Sequence, residues 1–243
     1  MTAQEQPPLV PHHLGVLVDG NRRWATRQGF ADPHDGHRAG AGKVPEVIGW
    51  CAQAGIEVVA FYLLSARNLH RPAAELLPLL SIIEDLVTGL AGPHQPWRLR
   101  LARSFHLLPT GTARRLRTTA AEAADRQDRG PIVNVLIAYS GHDEITEAVR
   151  ALLARQAAAG ASISDIVRNL HVGGISRELT TAGQPAPGFL IRTGGEHRLS
   201  GFMPWQTAEA EFCFRPSHGP AFSYQDFTDT LAVYARRRRR FGQ

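Results

Sequence analysis

Short apolar runs alternate with longer helical stretches along the whole chain. Runs rich in Val, Ile, Leu and Phe occupy residues 14–18, 58–64, 132–139, 189–191 and 212–214, with a weaker run near 98–105. Stretches rich in Ala, Leu, Glu and Arg lie between and after them, at 37–54, 73–91, 112–128, 142–158 and 223–239. Strands that alternate with helices predict an α/β fold with a mostly parallel sheet flanked by helices.

The domain organisation follows from what the sequence lacks. No linker, internal repeat or low-complexity stretch divides the 243 residues, so we predict a single domain over residues 13–243, preceded by a flexible N-terminus at 1–12. The first ten residues lack the basic and apolar regions of a signal peptide, and no run of about 18 apolar residues occurs. We therefore expect a cytoplasmic protein without stable membrane insertion.

The positive charge of the chain favours an anionic small molecule over nucleic acid. The formal net charge is +5, and Lys43 is the only lysine. The arginines are scattered apart from a run at 236–240, and aromatic residues do not interleave with a basic patch. This pattern predicts no nucleic-acid partner, since single-strand binders combine a basic groove with stacking aromatic residues.

A single acid stands among arginines at the end of the first apolar run. The stretch reads LVDGNRR, so Asp19 and Gly20 lead from a strand into a turn and a helix that begins near Asn21. Such a turn attracts anions, and a carboxylate there would repel a phosphate unless a divalent cation bridged the two. The pattern predicts a Mg²⁺–diphosphate site at Asp19. The alternative is an aspartate that only caps the helix.

The stretch IRTGGEHRLSGF, at 191–202, repeats this arrangement. Arg192 ends a strand run, two glycines allow close approach of the backbone, and Arg198 and Ser200 follow. Arginines and a hydroxyl can hold a second diphosphate through charge-assisted hydrogen bonds. Glu211 begins the next strand run, either as a solvent-exposed acid or as a metal ligand. Two anion sites with candidate metal ligands predict an enzyme that joins two phosphorylated molecules.

These segments together resemble the cis-prenyltransferases, the family of undecaprenyl diphosphate synthase. The resemblance covers nearly the whole chain, in ordered segments at 13–25, 36–44, 61–72, 191–214 and 236–242, and is greatest toward short-chain bacterial members that make a Z,E-farnesyl diphosphate. It implies a catalytic domain with an elongated apolar cleft, Mg²⁺ as cofactor and a homodimeric state. The implied substrates are an allylic diphosphate, dimethylallyl or geranyl, and a second C5 diphosphate such as isopentenyl diphosphate.

The resemblance also implies roles for individual residues. Asp19 matches the acid that holds Mg²⁺ and assists departure of the allylic diphosphate, and Glu211 matches a second metal-site acid. Ser65 and Asn68 match positions beside the reacting carbons, where Asn21 and Asn68 are expected to steer proton loss. Residues that match contacts to the two diphosphates, including those of the terminal Arg-x-Gly element, are Gly20, Arg22, Arg23, Trp24, His37, Arg71, Arg192, Arg198, Ser200, Arg240 and Gly242.

The chain departs from the family pattern at Arg67, in a Ser-Ala-Arg-Asn segment where the family has Ser-Ser/Thr-Glu-Asn. An arginine is always charged and cannot act as a base, so we expect it to hold a diphosphate oxygen and draw the second substrate into a different pose. The alternative is an arginine that points to solvent. We therefore expect head-to-middle coupling with a branched, lavandulyl-type product. The alternative reaction is head-to-tail condensation with isopentenyl diphosphate.

Leucines near the expected cleft predict a short product of about C10 to C15, because bulky side chains shorten a tunnel, although each could instead belong to the core. They are Leu63, Leu64, Leu69, Leu76, Leu77, Leu79 and Leu80. Two other functional classes fit less well. A haloacid-dehalogenase-type phosphatase needs a second Asp where Asn21 stands. A non-catalytic partner subunit of a heteromeric cis-prenyltransferase would lack the acid and arginines that this chain keeps at Asp19, Arg23 and Arg192.

Overall fold

The computed structural model describes residues 9–101, 105–124 and 130–236. Its strands are β1 (His13–Leu17), β2 (Val58–Tyr62), β3 (Arg98–Leu101), β4 (Ile132–Leu136), β5 (Phe189–Arg192) and β6 (Glu211–Phe214). Its α-helices are α1 (Asn21–Arg27), α2 (Pro33–Gln53), α3 (Ala73–Leu90), α4 (Thr110–Ala124), α5 (Gly141–Ala158), α6 (Ile163–Asn169), α7 (Val172–Ser176) and α8 (Tyr224–Arg236). All strand pairs are parallel, in the order β3-β4-β2-β1-β5-β6. The predicted α/β class is confirmed.

Every predicted strand and helix has a counterpart among the described residues, and several of the ends that lie within those residues are shifted. Helix α2 begins at Pro33, four residues early, because Asp32 accepts a hydrogen bond from the His34 N–H at 2.8 Å and proline suits the first helical position. The sequence pattern does not predict α6 and α7, since seven and five residues are too few to show helical periodicity. Residues 1–8, most of the predicted flexible N-terminus, lie outside the described residues.

Both faces of the four central strands are buried, as expected for the middle of a covered parallel sheet. On one face Val16, Phe61 and Val135 belong to a large core formed with α2, α3, α4 and α8. On the other face Leu17, Ala60 and Leu136 pack with Tyr139, Phe202 and Met203. Successive strand residues therefore alternate between two cores. Among the described residues, none of the helices has the length and apolar character needed to cross a membrane.

The sheet has a switch point between β1 and β5. From β1 the chain moves to β2 on one side, and later returns to β5 on the other side, where Leu17 pairs with Arg192. In open parallel sheets, ligands bind beyond the carboxyl ends of the strands at such a point. Asp19 and Ser65 follow β1 and β2 at this edge, and Thr193 follows β5. The topology thus places three predicted polar segments side by side.

His13, the first residue of β1, is completely buried. Its Nδ1 lies 2.7 Å from the carbonyl oxygen of Pro185, and its Nε2 has no hydrogen-bond partner. Burial lowers the pKa of His13 from 6.5 to about 4, and the Pro185 hydrogen bond opposes this only partly. Between these two values the unfolded chain binds a proton that the folded chain does not. The stability contributed by neutral His13 is therefore complete above the unfolded pKa and is lost as the pH falls toward the folded pKa.

We expect His13→Gln to remove this part of the acid sensitivity. Wild-type protein should lose about 2 kcal/mol of unfolding free energy between about pH 7 and pH 5 through His13, because the neutral ring is then the only form the fold accommodates. Urea unfolding at both pH values measures the difference. His94→Gln, an exposed histidine after α3, serves as the control and should keep the wild-type pH dependence. Equal pH dependence in wild type and His13→Gln would contradict the prediction.

Candidate active site

Asp19 is fixed at the carboxyl edge of the sheet by the two strands that flank it. Its Oδ1 accepts from the Gly20 N–H at 2.7 Å, and its Oδ2 accepts from Arg192 Nη2 at 2.7 Å. Thr193 Oγ1 accepts from the Asp19 N–H at 2.8 Å and lies 2.9 Å from the Asp19 carbonyl oxygen. Gly20 has a φ of 89°, and a Cβ there would lie 2.7 Å from the His218 ring. The turn therefore requires glycine, which holds Asp19 in place.

Arg192, the last residue of β5, joins the two predicted anion sites. Its side chain is only 6% exposed. Nη1 donates to Ser200 Oγ at 2.9 Å and to the Arg198 carbonyl oxygen, while Nη2 donates to Asp19. One planar guanidinium thus holds the acid of the first site and the loop of the second, which the fork geometry of arginine allows and lysine does not.

A cavity of about 780 Å³ opens at this edge of the sheet. Its volume falls in the range of small-molecule sites. The predicted site residues that line it are Asp19, Gly20, Asn21, Arg22, Arg23, His37, Ser65, Arg67, Asn68, Arg71, Arg192, Arg198 and Ser200. They come from the segments after β1, β2 and β5 and from the first turns of α1 and α2. Segments far apart in sequence therefore form one polar cavity.

The charge of the cavity is strongly positive. Its lining arginines are Arg22, Arg23, Arg67, Arg71, Arg192 and Arg198. The carboxylates that pair with them are Asp19, Glu75 and Glu196. Six guanidinium groups against three carboxylates leave a surplus of positive charge that suits a polyanion. Sequence reasoning missed Glu75 and Glu196, and the i,i+4 spacing of Glu75 from Arg71 was a signal for the first of them.

Arg67 and the residues around it lie on a short 3₁₀ helix, Ala66–His70. Ser65 Oγ contacts Asn68 Oδ1 at 2.6 Å, and the Ser65 N–H donates to the same oxygen at 3.2 Å. This reciprocal cap fixes both side chains beside the cavity. Arg67 is exposed on the cavity wall and has no hydrogen-bond or ion-pair partner within the described ranges.

Two buried polar atoms without partners mark the floor of the cavity. They are His37 Nε2 and Asn21 Oδ1. Burial, reinforced by the charge of Arg71, lowers the pKa of His37 to about 4, so the ring is neutral near pH 7. A Cβ on Gly40 or Gly219 would lie 2.6 or 2.8 Å from the Asn21 side chain. The glycines leave just enough room for the amide.

An apolar cavity of about 40 Å³ adjoins this floor between α2, α3 and the sheet. It shares His37, Asn21 and Leu79 with the polar cavity. Its apolar lining from the two helices is Ala41, Val44, Leu79, Ile82, Ile83 and Leu86. The α3 members follow the i, i+3, i+4, i+7 spacing of one helix face, a signal that the leucine-based prediction overlooked.

Only some of the predicted tunnel leucines line a cavity. Leu63, Leu64 and Leu79 do so. Leu77 is exposed, and Leu69, Leu76 and Leu80 belong to the core or pack against it, which is the alternative given above for each leucine. A run of leucines along a helix points to all sides, and the cavity-lining residues of α3 occupy one face.

Two predicted site residues lie outside the cavity. Trp24 stacks on Phe30, with ring centroids 5.5 Å apart, and does not line the cavity. Glu211 pairs with Phe189, and Phe189 pairs with Leu14. At roughly 3.3 Å per residue, Asp19 is therefore about 15 Å further along the strand direction. Within a single chain Glu211 and Asp19 therefore lie toward opposite edges of the sheet, and the role of Glu211 as a second metal-site acid stays a prediction.

The other predicted site residues that the structure describes do not form a group of metal-ligand side chains. Among the described residues, no group of three or more His, Cys, Asp or Glu side chains could hold a metal ion. Arg240 and Gly242 lie outside the described residues. The candidate site therefore offers one carboxylate, Asp19, in a cavity of arginines.

Known proteins resemble this chain over nearly its whole length. The sequence model of a family described as "Putative undecaprenyl diphosphate synthase" matches residues 17–242. Isoprenyl transferase 1 of Corynebacterium diphtheriae is 46% identical, over 96% of this chain and 87% of its own. The (2Z,6E)-farnesyl diphosphate synthase of Mycolicibacterium smegmatis is 44% identical, over 96% of this chain and 89% of its own.

The fold has a similarly complete match. The crystal structure of lavandulyl diphosphate synthase from Lavandula x intermedia, in complex with dimethylallyl diphosphate, has a TM-score of 0.86 and 29% identity to this chain. The match covers 96% of this chain and 99% of that one.

The prediction of head-to-middle coupling is wrong. It depended on departures from the family pattern, Arg67 above all, whereas the relative that is 44% identical over 96% of the chain is named for farnesyl diphosphate, a linear compound. The protein named for the branched lavandulyl compound is only 29% identical. From the match over residues 17–242 and the identity of these relatives, the chain belongs to the undecaprenyl diphosphate synthase family, the cis-prenyltransferases, and is a prenyltransferase.

Proposed function

We propose that the chain is a short-chain prenyl diphosphate synthase that joins an allylic diphosphate to isopentenyl diphosphate head to tail and forms a Z double bond. Dimethylallyl or geranyl diphosphate is the allylic substrate, and the linear product has about 10 to 15 carbons. The observation that carries this proposal is the arginine-lined cavity that adjoins a small apolar one. The names of the relatives at 44% identity favour the linear product.

In this proposal the two diphosphates occupy neighbouring parts of the cavity. The allylic diphosphate lies near Arg22, Arg23 and Arg71, and the second diphosphate near Arg198 and Ser200. When the allylic C–O bond ionises, negative charge grows on the departing oxygen, so nearby guanidinium groups stabilise the transition state more than the ground state. The alkene of isopentenyl diphosphate is held beside the allylic carbocation, which makes carbon–carbon bond formation an effectively intramolecular step.

Asp19 fits the role of the one protein ligand of Mg²⁺. Its side chain is 41% exposed and borders the cavity, and each oxygen accepts one protein hydrogen bond, so lone pairs remain. Mg²⁺ commonly takes one or two carboxylates together with substrate phosphates and waters. When bound, the ion would neutralise charge on the departing diphosphate. We propose that three neutral side chains orient the reacting carbons and steer proton loss, namely those of Asn21, Asn68 and Ser65.

Incubation of the purified chain with pairs of diphosphates tests this function. With Mg²⁺, geranyl or dimethylallyl diphosphate plus isopentenyl diphosphate should give diphosphate release that requires both substrates. Dephosphorylated products should have about 10 to 15 carbons, and EDTA should abolish the reaction. Absence of product from both pairs, or a full rate in EDTA, would contradict the proposal.

Product length should depend on the α3 face that lines the apolar cavity. We expect the double variant Ile82→Ala, Leu86→Ala to yield products one or two C5 units longer, because the shortened side chains extend the space for the growing chain. Gas chromatography of the dephosphorylated products measures this. Leu77→Ala, on the exposed face of the same helix, should leave the distribution unchanged. An unchanged distribution in the double variant would show that this face does not limit chain length.

We also propose that the chain forms a homodimer through α6 and the segment after it. Ile163 and Val167 lie one helical turn apart on α6, and they, Leu170 and Val172 are all exposed. Clustered exposed apolar side chains are typical of an interface. Ile163→Glu with Val167→Glu should therefore halve the mass measured by light scattering, whereas Leu77→Glu should not. A monomeric wild type, or a dimer unaffected by the double variant, would contradict this interface.

A further inference from the structure

Glu196 lies behind two arginines of the cavity without lining the cavity itself. Its Oε1 is 3.2 Å from Arg23 Nη2, and its Oε2 accepts from Arg198 Nη1 at 2.5 Å. Both arginines line the cavity, one from α1 and the other from the loop after β5. A single carboxylate thus connects side chains from the two segments that sequence analysis assigned to different anions.

The backbone that carries Glu196 is tightly placed. Gly194 and Gly195 have φ values of 82° and 71°, and their N–H groups donate to the carbonyl oxygens of Ser217 at 2.7 Å and Arg215 at 3.0 Å. A Cβ on Gly194 would lie 3.1 Å from Arg23 Nη2. The loop therefore approaches Arg23 about as closely as a glycine permits, and this sets the position of Glu196.

We propose that Glu196 is a positioning residue that couples the binding of the two diphosphates. The inference rests on the proposed function, in which Arg23 contacts the allylic diphosphate and Arg198 the second one. A guanidinium has five N–H donors on three nitrogens, and Glu196 engages one nitrogen of each arginine, so the others remain available to phosphate oxygens.

The coupling follows from this shared partner. A diphosphate that immobilises Arg23 also immobilises Glu196 and, through it, Arg198. The second diphosphate then binds to an Arg198 side chain that is already ordered, so its binding no longer includes the entropic cost of ordering that side chain. Each substrate therefore raises the affinity for the other by the same factor. Glu196 thereby favours the state in which both substrates are bound, the only state that can react productively.

Glu75 provides a matched comparison in the same cavity. Its Oε1 accepts from Arg22 Nη1 and from Arg71 Nη1, both at 2.9 Å. Its side chain is 27% exposed, against 28% for Glu196. Both of its arginines lie on the allylic side in the proposed function. Loss of the Glu75 charge should weaken binding of the allylic diphosphate and leave the coupling factor unchanged.

Titration calorimetry with geranyl S-thiolodiphosphate, an unreactive allylic analogue, and isopentenyl diphosphate in Mg²⁺ tests the inference. In wild type each ligand should tighten the other by about 5- to 10-fold, near the low end of measured coupling. In Glu196→Gln the factor should fall to about one, whereas Glu75→Gln should keep the wild-type factor. Glu196→Asp keeps the charge but is one methylene shorter and does not span both arginines, so it should also lose the coupling.

The possible results separate this inference from the proposed function. A wild-type coupling factor of one, or an unchanged factor in both Glu196 variants, would overturn the role of Glu196. Failure of wild type to bind either ligand would instead overturn the proposed function and with it the inference. Melting temperatures without ligand establish that each variant is folded, and the two Glu196 replacements give independent tests of the same bridge.

Discussion

Replacing Asp19 by alanine should lower kcat by about 10²- to 10³-fold, the range typical for loss of one group that stabilises developing charge. The carboxylate borders the cavity and is the acid that pairs with Arg192, so its loss removes the proposed metal ligand and releases that arginine. The effect should fall on kcat more than on KM, because the charge develops only as the allylic bond breaks.

Steady-state kinetics with saturating Mg²⁺ and circular dichroism check this result. Asp35→Ala is the matched control, since Asp35 on α2 is paired with Arg38 at 2.7 Å and does not line the cavity. The control should keep the wild-type kcat. A rate near that of wild type in folded Asp19→Ala would remove Asp19 from the reaction.

Arg192→Lys should lower kcat/KM by about 10- to 100-fold, although the charge is retained. The arginine fork reaches Asp19 Oδ2, Ser200 Oγ and the Arg198 carbonyl oxygen at once, whereas an ammonium is a point donor that cannot hold all three directions. Losing one hydrogen bond to a charged group, at about 1.5–3 kcal/mol, gives an effect of this size.

Steady-state assays that vary each substrate at a saturating level of the other measure the loss. Arg215→Lys is the matched control, because Arg215 is also an arginine beside β6 with an acidic partner, Asp226 at 2.5 Å, but lies outside the cavity. It should retain kcat/KM within about twofold. Retention of full kcat/KM by Arg192→Lys would show that the fork geometry is not needed.

The fold class was predictable because most strands are short apolar runs, β3 with its two arginines being the weakest, and the long helices between them are rich in Ala, Leu, Glu and Arg. The local sequence pattern did not predict where helices begin, and it did not predict the short helices α6 and α7. Helix α2 starts at Pro33 through a cap formed by Asp32, and α6 and α7 are shorter than two helical turns. The start of α2 and the positions of α6 and α7 depend on side-chain capping and on packing against neighbouring elements, and hydrophobic periodicity carries no information about either.

The candidate site was predictable where a functional residue directly follows a strand. Parallel pairing brings the ends of β1, β2 and β5 together, so Asp19, Ser65 and Arg192 meet without further information. Glu211 begins its strand, and parallel strands carry their amino ends to the opposite edge, so it lies away from Asp19. Trp24 packs on Phe30 outside the cavity, because a motif gives spacing along a helix but not the face that meets the cavity.

The reaction itself shows the limit of reasoning from one substituted position. Arg67 lines the cavity as a cation without a partner among the residues described, which agrees with a contact to substrate. Its charge does not determine which carbon attacks, because attack geometry depends on the positions of both substrates within the whole cavity. Similarity over the entire chain carries that information better than one residue does.

The connectivity of the product is the most direct test of the proposed head-to-tail reaction in this cavity. The chain should be incubated with geranyl diphosphate, ¹³C-labelled isopentenyl diphosphate and Mg²⁺, and the dephosphorylated C15 product examined by NMR. We expect a linear alcohol in which the former C1 of geranyl diphosphate is bonded to the terminal alkene carbon of the isopentenyl unit, with a Z double bond in the new unit. A branched skeleton, with the new bond at an internal carbon, would contradict it.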